Sequence, residues 1–396
     1  MPQDHVVIVS GVRTPMGGFQ GSLASVSATQ LGALSIAEAV KRAGISTEQV
    51  QEVIMGNVLP AGLKQGPARQ AARGAGLPDG TGATTINKLC GSGMKASMFA
   101  HDLIVAGSAD TVVAGGMESM SNAPYLLNGA RGGYRMGHGD QPRDHMFTDG
   151  LEDAETGRLM GSFAQEVADR RGYSREAMDA FAIRSLERAR TAMEKGWLTE
   201  EILPVTVKTR KGEALVSDDE QPHNASIEKI PTLRPAFSKD GTVTAANASS
   251  ISDGASALVM MRESRARELG LRPMARIHAH ATQSLHPSEF TLAPVGAISR
   301  VLEKAAWKKD QVDLFEINEA FAMVAMMPID DLGLDPEKVN IHGGACAQGH
   351  PIGSTGSRLL VTLIHALRRQ GKQWGVASLC IGGGEATAMA IEMLDH

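Results

Sequence analysis

Short apolar runs alternate with amphipathic segments along the first 120 residues. Val6 to Ser10 is a β-branched run, and Leu31 to Arg42 carries apolar residues at helical spacing. Three more strand-like runs follow, at 53–59, 83–87 and 111–114. The glycine pair at 115 and 116 is predicted to end the last of them. Strands that alternate with helices predict a layered α/β domain with a largely parallel sheet.

The alternation breaks down from about Ser121 to Ser250. This segment holds one long helical run, from about Ser174 to Lys195, and a charged, proline-punctuated stretch from Lys208 to Pro235. Because it is longer than any ordinary connection, we expect it to fold as a subdomain or to cover something on the scaffold. Strand signals resume afterwards, at 256–261 and 276–280.

The second half of the chain repeats the first. Gln49 to Asn57 is echoed by Gln311 to Asn318, and each leads from a strand into a polar turn. The block 90–116, which reads as a glycine-rich turn, a helix and a strand, is matched by 349–384. Duplicated α/β units of this size usually pack face to face, with function where equivalent turns meet. The repeat therefore predicts a pseudo-dimer whose seam joins residues 90, 318, 350 and 380.

Composition narrows the class of protein. At 396 residues the chain exceeds one ordinary core, so two or three domains are expected. A net charge of −5 with both signs mixed gives no indication of a nucleic-acid or membrane partner. Three cysteines spread along the sequence predict neither a disulfide framework nor a zinc site. With no basic segment leading into an apolar core at the start, we expect a soluble cytoplasmic protein.

The stretch from Asn87 to Lys95 places a thiol, Cys90, in a glycine-rich turn directly ahead of a helix-like run at 94–106. A helix N-terminus favours a thiolate through its dipole, so Cys90 is the candidate nucleophile. Gly91 and Gly93 are expected to leave backbone N–H groups accessible to a developing oxyanion and to let a substrate approach. A lone cysteine in such a turn is more often a small buried apolar residue, so its setting carries the argument.

The equivalent turn of the second half carries His350 between glycines, at the head of a helix-like run at 357–367. Such a rigid mount suits a catalytic base. Cys380 ends an apolar strand, just before three glycines that are predicted to expose backbone N–H groups. Asn318 follows a strand and by itself would be a turn residue. Their convergence at the seam favours function for these three, whereas Cys346 is interpreted as structural.

Six motifs in this order resemble those of the thiolases, which are acyl-CoA:acetyl-CoA C-acyltransferases. They are Cys90-Gly-Ser-Gly, Gly115-Gly-Met-Glu-Ser-Met-Ser121, Gly241-Thr-Val-Thr-Ala-Ala-Asn-Ala-Ser249, Asn318-Glu-Ala-Phe321, Gly349-His-Pro-Ile-Gly353 and Cys380-Ile-Gly-Gly-Gly384. The resemblance implies an α/β fold, with a five-layered α-β-α-β-α body of two duplicated domains and an inserted loop domain that binds coenzyme A. It implies a homodimer or homotetramer, an N-terminal domain at 1–120 plus 251–273, a loop domain covering the active site at 121–250, and a C-terminal domain at 274–396.

The resemblance also implies roles for the seam residues in a Claisen condensation. Cys90, deprotonated with help from His350, would take the acetyl group of one acetyl-CoA. Cys380 would remove a proton from the methyl carbon of a second acetyl-CoA, and the carbanion would attack the acyl thioester. Two oxyanion holes are implied, one from the N–H groups of Cys90 and Gly382, the other from His350 and a water held by Asn318. No metal or redox cofactor is required.

Positions that contact the substrate are carried over in the same way. They are Leu151, Met160, His223, Phe237, Ala245, Ser249, Phe290, Ala320 and Phe321. Leu151 would touch the nucleotide end of coenzyme A, and Phe290 would border the acyl pocket, where many members carry Met. The chain departs from the family at Leu159, where His is usual, at His223, where an Arg often lies beside the adenine, and at Gln348, where Leu is usual.

The region around Glu289 and Asn340 is most similar to the potassium-activated mitochondrial acetoacetyl-CoA thiolases. Their potassium site uses a Tyr and loop carbonyls, and the carbonyls match Ala245, Ala246 and Ala248. That Tyr aligns with Gln221, so the residues do not support potassium, and coenzyme A is expected as substrate and product rather than as a cofactor.

The motifs favour an acetyl-CoA C-acetyltransferase over a broader-range 3-oxoacyl-CoA thiolase of fatty-acid degradation. A β-ketoacyl synthase would need two histidines, and Cys380 occupies the place of one. A non-catalytic acyl-CoA carrier would be expected to have lost at least one of Cys90, His350 and Cys380, and all three are present. Simple thioester hydrolysis is excluded only by experiment, and the direction, acyl length and oligomer stay open at this point.

Overall fold

The computed structural model describes residues 4–394, and its first half alternates strands and helices as predicted. Ser27 caps the first helix by accepting the backbone N–H of Gln30, and Gly44, with a φ of 70°, ends it in the left-handed region. The elements are β1 (Val6–Arg13), β2 (Gly17–Gly18), α1 (Ala28–Ala43), β3 (Glu52–Gly56), α2 (Pro67–Gly74), β4 (Gly82–Ile86), α3 (Ser92–Ala106) and β5 (Thr111–Ser119).

The segment 121–250 adds no strand to the main sheet. Phe163 and Val167 of its first helix pack into the core of the C-terminal half, so the segment is fastened to the scaffold. The division of the chain into domains after residues 120, 250 and 273 stays a prediction. The elements of this segment are β6 (Tyr125–Leu126), β7 (Arg143–Asp144), α4 (Met160–Arg171), α5 (Arg175–Glu194), β8 (Val205–Thr209), β9 (Gly212–Val216) and α6 (Glu220–Asn224).

The remainder of the chain returns to the sheet and then repeats the pattern of the first half. The counterpart of β4 is reduced to a single parallel bridge between Phe315 and Val339. Within residues 4–394, no helix combines the length and apolarity needed to cross a membrane. The elements are β10 (Ser252–Arg262), α7 (Glu263–Glu268), β11 (Ala275–Ser284), α8 (Ala293–Ala305), β12 (Leu314–Ile317), α9 (Ala322–Leu332), α10 (Ala345–Gln348), α11 (Thr355–Gln370), β13 (Trp374–Ile381) and β14 (Glu385–Met393).

The strands form one large sheet in the order β12-β13-β14-β11-β1-β10-β5-β3-β4, with β2 beside β10. The two halves meet where β1 pairs with β11, at Val7 opposite Arg276 and Ile8 opposite Ala275. The prediction of a largely parallel sheet was wrong, because among the described strands only the pairs β3–β4, β3–β5 and β12–β13 are parallel. A tight turn joins β13 to β14, so β14 runs antiparallel to β13. After the long excursion the chain returns to the sheet as β10, which pairs antiparallel with β5.

Three apolar cores stack these elements into five layers, which confirms the expected α-β-α-β-α body. The outer helix α1 packs on the sheet of the first half through Leu31, Ile36 and Val40. The helices α3 and α11 lie between the two halves and bury apolar side chains against both. On the far side, α8 and α9 pack on the sheet of the second half. The turns that precede α3 and α11 therefore both point into the seam.

The glycine pair in β5 does not end the strand, as the sequence predicted, because β5 continues to Ser119. A Cβ on Gly115 would lie 3.0 Å from the Cα of Ala257, and one on Gly116 would lie 2.8 Å from the carbonyl carbon of Gly353. The glycines are needed where a neighbouring strand and the His350 turn approach β5 most closely.

Candidate active site

A cavity of about 390 Å³ opens at the seam between the halves. Its wall is mostly apolar, with Phe147, Leu159 and Ile352 among the residues that sequence reasoning did not assign to the substrate. The position where the family usually has His is thus filled by a leucine that faces the cavity. The predicted residues that line it are Cys90, Leu151, Met160, Phe237, Ser249, Phe290, Ala320, Phe321, His350, Cys380 and Gly382.

Local hydrogen bonds fix the turn that carries Cys90. The Oδ1 atom of Asn87 accepts the N–H of Leu89 at 2.9 Å, and the hydroxyl of Ser92 accepts the N–H of Lys88 at 2.9 Å and donates to the carbonyl of Leu89 at 2.6 Å. Leu89 has a φ of 48°, a left-handed conformation that costs roughly 1 to 3 kcal/mol for such a residue. The strained residue precedes the thiol directly, and no pattern in the sequence indicated it.

The glycines after Cys90 serve packing rather than substrate approach, so that expectation was wrong. The N–H of Gly91 already donates to the carbonyl of Lys88 at 3.0 Å. A Cβ on Gly91 would lie 2.9 Å from a side-chain carbon of Ile381, and one on Gly93 would lie 2.7 Å from the backbone nitrogen of Ser357. Both glycines are buried, and they let the Cys90 turn press against β13 and α11 of the other half.

Cys90 is not a low-pKa thiol in the substrate-free protein. Burial raises the pKa of this thiol to about 11, although the N–H of Gly382 donates a hydrogen bond to it and lowers the pKa. The expected effect of the helix dipole is therefore outweighed by desolvation. A nucleophilic role for Cys90 would therefore need a base that takes its proton.

A raised thiol pKa has a measurable consequence in the substrate-free protein. We expect the rate of Cys90 alkylation by iodoacetamide to rise about tenfold per pH unit up to near pH 10, because the thiolate fraction grows in that proportion below the pKa. The label is located by peptide mass spectrometry over a pH series. A rate that levels off near pH 7 would show that the dipole, and not burial, controls this thiol.

His350 is held as a neutral base. Its Nδ1 lies 2.6 Å from the hydroxyl of Thr355, which itself donates to the carbonyl of Pro351 at 3.0 Å. That hydroxyl therefore accepts from an Nδ1–H, which leaves the lone pair on Nε2. Burial, and then the charge of Arg358, lower the pKa of His350 to about 3. An uncharged imidazole with a fixed tautomer is suited to take the Cys90 proton.

Cys380 lies beside Cys90 at the end of β13 and is 1% exposed. Burial, and then the neighbouring Cys90, raise its pKa well above the ordinary value for a thiol, so its thiolate is a strong base. The three glycines that follow do not act alike, which corrects the sequence interpretation. Gly382 hydrogen-bonds Cys90, while Gly383 and Gly384, with φ of 82° and 91°, form the turn into β14.

Asn318 is fully buried behind the cavity wall rather than in it. Its Nδ2 lies 3.5 Å from the Nε2 of His350, and its Oδ1 has no hydrogen-bond partner within the described chain. The loop it begins is joined to the end of the excursion, since the carbonyl of Ala320 accepts the N–H of Ser249 at 2.9 Å. This bond holds Ser249, at the end of the insertion, near Phe321 of the C-terminal half, and both line the cavity.

Two of the predicted contacts lie elsewhere. His223 lines a separate depression with Arg190, Glu194 and Asp218, so the structure does not bring it to this cavity. Ala245 is not part of the cavity wall. The side-chain amide of Gln221 packs against Gly18, and the phenol of the potassium-activated enzymes has no counterpart there. No step is therefore assigned to a potassium ion.

Models of two domain families match nearly all of the chain. The model "Thiolase, N-terminal domain" matches residues 6–264, and the model "Thiolase, C-terminal domain" matches residues 271–393. The chain belongs to the thiolase family. As a thiolase it is an acyltransferase, which agrees with the thiol, imidazole and second thiol that meet in the cavity.

Several known proteins are similar to this thiolase over its whole length. An acetyl-CoA acetyltransferase of Escherichia coli is 51% identical over 99% of this chain and 100% of its own. One of Cupriavidus necator is 50% identical over 98% of this chain and 99% of its own. Among solved structures, the Acat5 thiolase of Ascaris suum in complex with coenzyme A is 40% identical, with a TM-score of 0.93 and coverage of 98% and 100%. The acetyl-CoA acetyltransferase of Bacillus anthracis is 43% identical, with a TM-score of 0.96 and 99% of both chains covered.

A second group of titratable side chains in this thiolase lies between α3 and β11. The Oδ1 atom of Asp102 is 3.1 Å from a ring nitrogen of His101 and 2.9 Å from one of His280, a cluster with metal-ligand chemistry that the sequence did not reveal. Hydrogen bonds account for this arrangement, and the nearby positive charges of Lys95 and Lys304 oppose a dication. We therefore assign no metal to it.

Proposed function

We propose that this thiolase is an acetyl-CoA C-acetyltransferase that interconverts two acetyl-CoA with acetoacetyl-CoA and CoA through an acetyl-Cys90 intermediate. The observation that carries the proposal is the meeting of Cys90, His350 and Cys380 in one apolar cavity. One partly buried thiol, one buried thiol and one neutral imidazole supply a nucleophile and two bases without a metal. The similar bacterial proteins are acetyl-CoA acetyltransferases, which supports the choice of acetyl-CoA.

In the first half-reaction, Cys90 attacks the thioester carbon of acetyl-CoA while the Nε2 of His350 takes its proton. A bond forms between the Cys90 sulfur and the carbonyl carbon, and the bond from that carbon to the CoA sulfur breaks. Cys380 gives its proton to the leaving CoA thiolate and is left as a thiolate. The imidazolium of His350 and the Cys380 thiolate then stabilise each other in the apolar cavity.

In the second half-reaction, the Cys380 thiolate takes a proton from the methyl carbon of another acetyl-CoA. The carbanion forms a carbon–carbon bond with the acetyl group on Cys90, and the bond from that group to the Cys90 sulfur breaks. His350 returns its proton to Cys90, so the three groups end as they began. Thiolysis follows the same steps backwards.

Negative charge develops on a thioester oxygen in both half-reactions. The Gly382 N–H already donates a hydrogen bond to the Cys90 sulfur, which supports one oxyanion hole from the N–H groups of Cys90 and Gly382. The unpartnered Oδ1 of Asn318 can hold a water, which would donate to a second oxyanion together with His350. No cofactor enters this scheme.

The setting of the enzyme follows from the same chemistry. Cys90, Cys346 and Cys380 are all unpaired thiols, and a reaction through thiols needs a reducing compartment. We propose a cytoplasmic enzyme on this ground, and a homodimer or homotetramer on the ground of its resemblance to the thiolases.

The proposal is tested by thiolysis of acetoacetyl-CoA with free CoA, followed through the loss of the substrate absorbance and the appearance of acetyl-CoA. We expect turnover with CoA thioesters and none with acyl-carrier-protein thioesters. Release of acetoacetate in place of acetyl-CoA would show a hydrolase, and use of the acyl-carrier protein would show a synthase.

Phe290 sets the length of the acyl chain in this proposal. Its ring is 3% exposed and packs edge-on against Phe321, with 6.3 Å between ring centroids, at the cavity wall. A rigid ring held by a second ring cannot bend aside as a methionine can, so a long chain should clash. Each methylene is worth about 1 to 3 kcal/mol in such a pocket.

We therefore expect the wild type to cleave acetoacetyl-CoA with a much higher kcat/KM than 3-oxooctanoyl-CoA, and Phe290→Ala to reduce that preference at least about tenfold. The 2-methylacetoacetyl thioester measures tolerance of a branch. Phe237→Ala, which opens the same cavity at a second ring packed against Phe321, is the control and should affect all three substrates alike. Equal cleavage of the eight-carbon substrate by the wild type would replace the proposal with a broad-range 3-oxoacyl-CoA thiolase.

A further inference from the structure

A fully buried carboxylate, Glu118, lies in β5 close to the cavity and is absent from the chemistry described so far. Four N–H groups donate to it. Its Oε1 accepts from the side chain of Asn57 at 2.8 Å and from the backbone of Leu59 at 3.1 Å, and its Oε2 accepts from the backbone of Val58 at 3.0 Å and of Gly353 at 2.8 Å. Both oxygens are thus fully used, by donors from both halves of the molecule.

One of these donors belongs to the His350 turn. Gly353 ends that turn, three residues after the base, and it lies where the two halves approach most closely. A Cβ on Gly353 would be 2.5 Å from the Oε2 of Glu118, and one on Gly56 would be 2.7 Å from the Gly353 carbonyl. The glycines of two separate motifs therefore have one shared purpose, which is to let the His350 turn rest on β3 and β5.

The other three donors to Glu118 are connected to the Cys90 turn by further hydrogen bonds. Asn57, Val58 and Leu59 follow β3, and the carbonyl of Val58 accepts from the side chain of Asn87 at 3.4 Å. Asn87 in turn accepts the N–H of Leu89, the strained residue directly before Cys90. Through these bonds one carboxylate links the turn that carries the nucleophile to the turn that carries the base.

We infer that Glu118 is a positioning residue for the proposed acyl transfer, which holds the Cys90 and His350 turns in register across the seam. A carboxylate is the side chain that can accept four N–H donors at once, and an amide of the same shape cannot. Precise relative placement of nucleophile and base is worth far more in kcat than in substrate binding.

The charge of Glu118 has a second effect on the same site. Cys90 faces Glu118, His350 and Cys380, and the negative charge of Glu118 raises the pKa of the Cys90 thiol further. Burial raises the pKa of Glu118 itself to about 7, against the four donors that lower it. Removing that charge should lower the pKa of Cys90. A variant without the charge should therefore have a lower kcat, because the two turns are misplaced, and a more reactive Cys90 in alkylation, because more of the thiol is ionised.

The test compares Glu118→Gln with the wild type. An amide nitrogen in place of one oxygen would face N–H donors, so we expect kcat for thiolysis to fall at least about tenfold while KM changes less than about threefold. In the substrate-free protein we expect the pH profile of Cys90 alkylation to shift to lower pH. A purely structural role would lower kcat and raise KM together.

Two further variants make the result decisive. Glu118→Asp keeps the charge on a shorter side chain that cannot reach both turns, so kcat should fall with no downward shift of the alkylation profile. Glu220→Gln is the matched control, because that carboxylate also accepts backbone N–H groups, from Gly18 and Ser22, but lies outside the cavity wall. It should leave both readouts unchanged.

The outcomes separate this inference from the function on which it rests. A wild type that does not cleave acetoacetyl-CoA overturns the proposed function. An active wild type whose Glu118→Gln variant keeps both kcat and the alkylation profile overturns the role of Glu118 alone. If Glu118→Gln does not fold, a folded Glu118→Asp variant with wild-type kcat overturns it equally.

Discussion

Replacing Cys90 with alanine is expected to lower kcat for both synthesis and thiolysis by roughly four to six orders of magnitude, because both directions pass through the acyl group on this sulfur. Neither remaining thiol can replace it. In the proposed mechanism Cys380 is already used as the second base, and the sulfur of Cys346 is directed to the carbonyl of Glu319, outside the cavity wall. Water in the cavity would at most permit slow hydrolysis.

The measurement has two parts. Initial rates of acetoacetyl-CoA thiolysis give the loss of kcat, and mass spectrometry after brief incubation with acetyl-CoA should find one acetyl group on the peptide that carries Cys90. Cys346→Ala is the matched control, a second partly buried thiol whose loss should leave both results unchanged. An acetyl group on any other residue, or substantial turnover by Cys90→Ala, would contradict the assignment.

The residues of the site could be predicted from sequence because each stands in a local signal that repeats. Cys90 and His350 occupy equivalent glycine-rich turns ahead of helices, and the structure brings both turns to one seam, as expected. Cys380 was found through the glycines that follow it. Such signals are local in the chain and do not show which segments meet in the fold. The duplication of the two halves indicated that their equivalent turns would meet.

The electrostatics and the strand directions could not be predicted in the same way. The thiolate expected from the helix dipole is opposed by burial, which depends on how the halves close over Cys90 and therefore on tertiary structure. Leu89 is left-handed because neighbouring side chains hold it there, although its own preference is different. The sheet is mixed partly because the chain returns after residues 121–250 as β10, antiparallel to β5. No sequence periodicity indicates the direction of that strand.

The role of glycine shows the same limit most clearly. Sequence reasoning interpreted Gly91, Gly93, Gly115 and Gly116 as turn formers, chain breakers or openings for substrate. In the structure a Cβ on Gly91, Gly93 or Gly116 would collide with the other half of the molecule, and one on Gly115 would collide with the neighbouring strand β10. The sequence does not distinguish a glycine needed for close packing from a glycine needed for a turn. Only the tertiary packing around each position distinguishes them.

Cys380→Ser is expected to separate the two half-reactions, with the acetylation of Cys90 still measurable and the condensation reduced by roughly three or more orders of magnitude. Carbon deprotonation needs a strong base, and burial makes the Cys380 thiolate one, whereas a serine hydroxyl does not ionise in an apolar wall. Acetyl transfer to Cys90 depends mainly on His350, whose lone pair on Nε2 remains.

The measurements are the acetylation of Cys90 by mass spectrometry and the formation of acetoacetyl-CoA, in the same samples. A second readout is exchange of the methyl protons of acetyl-CoA with deuterated water, which the wild type should catalyse and Cys380→Ser should not. If acetylation and condensation instead fell by the same factor with exchange retained, Cys380 would serve only the first step, as the acid for the leaving CoA, and the base for the carbon acid would have to be His350.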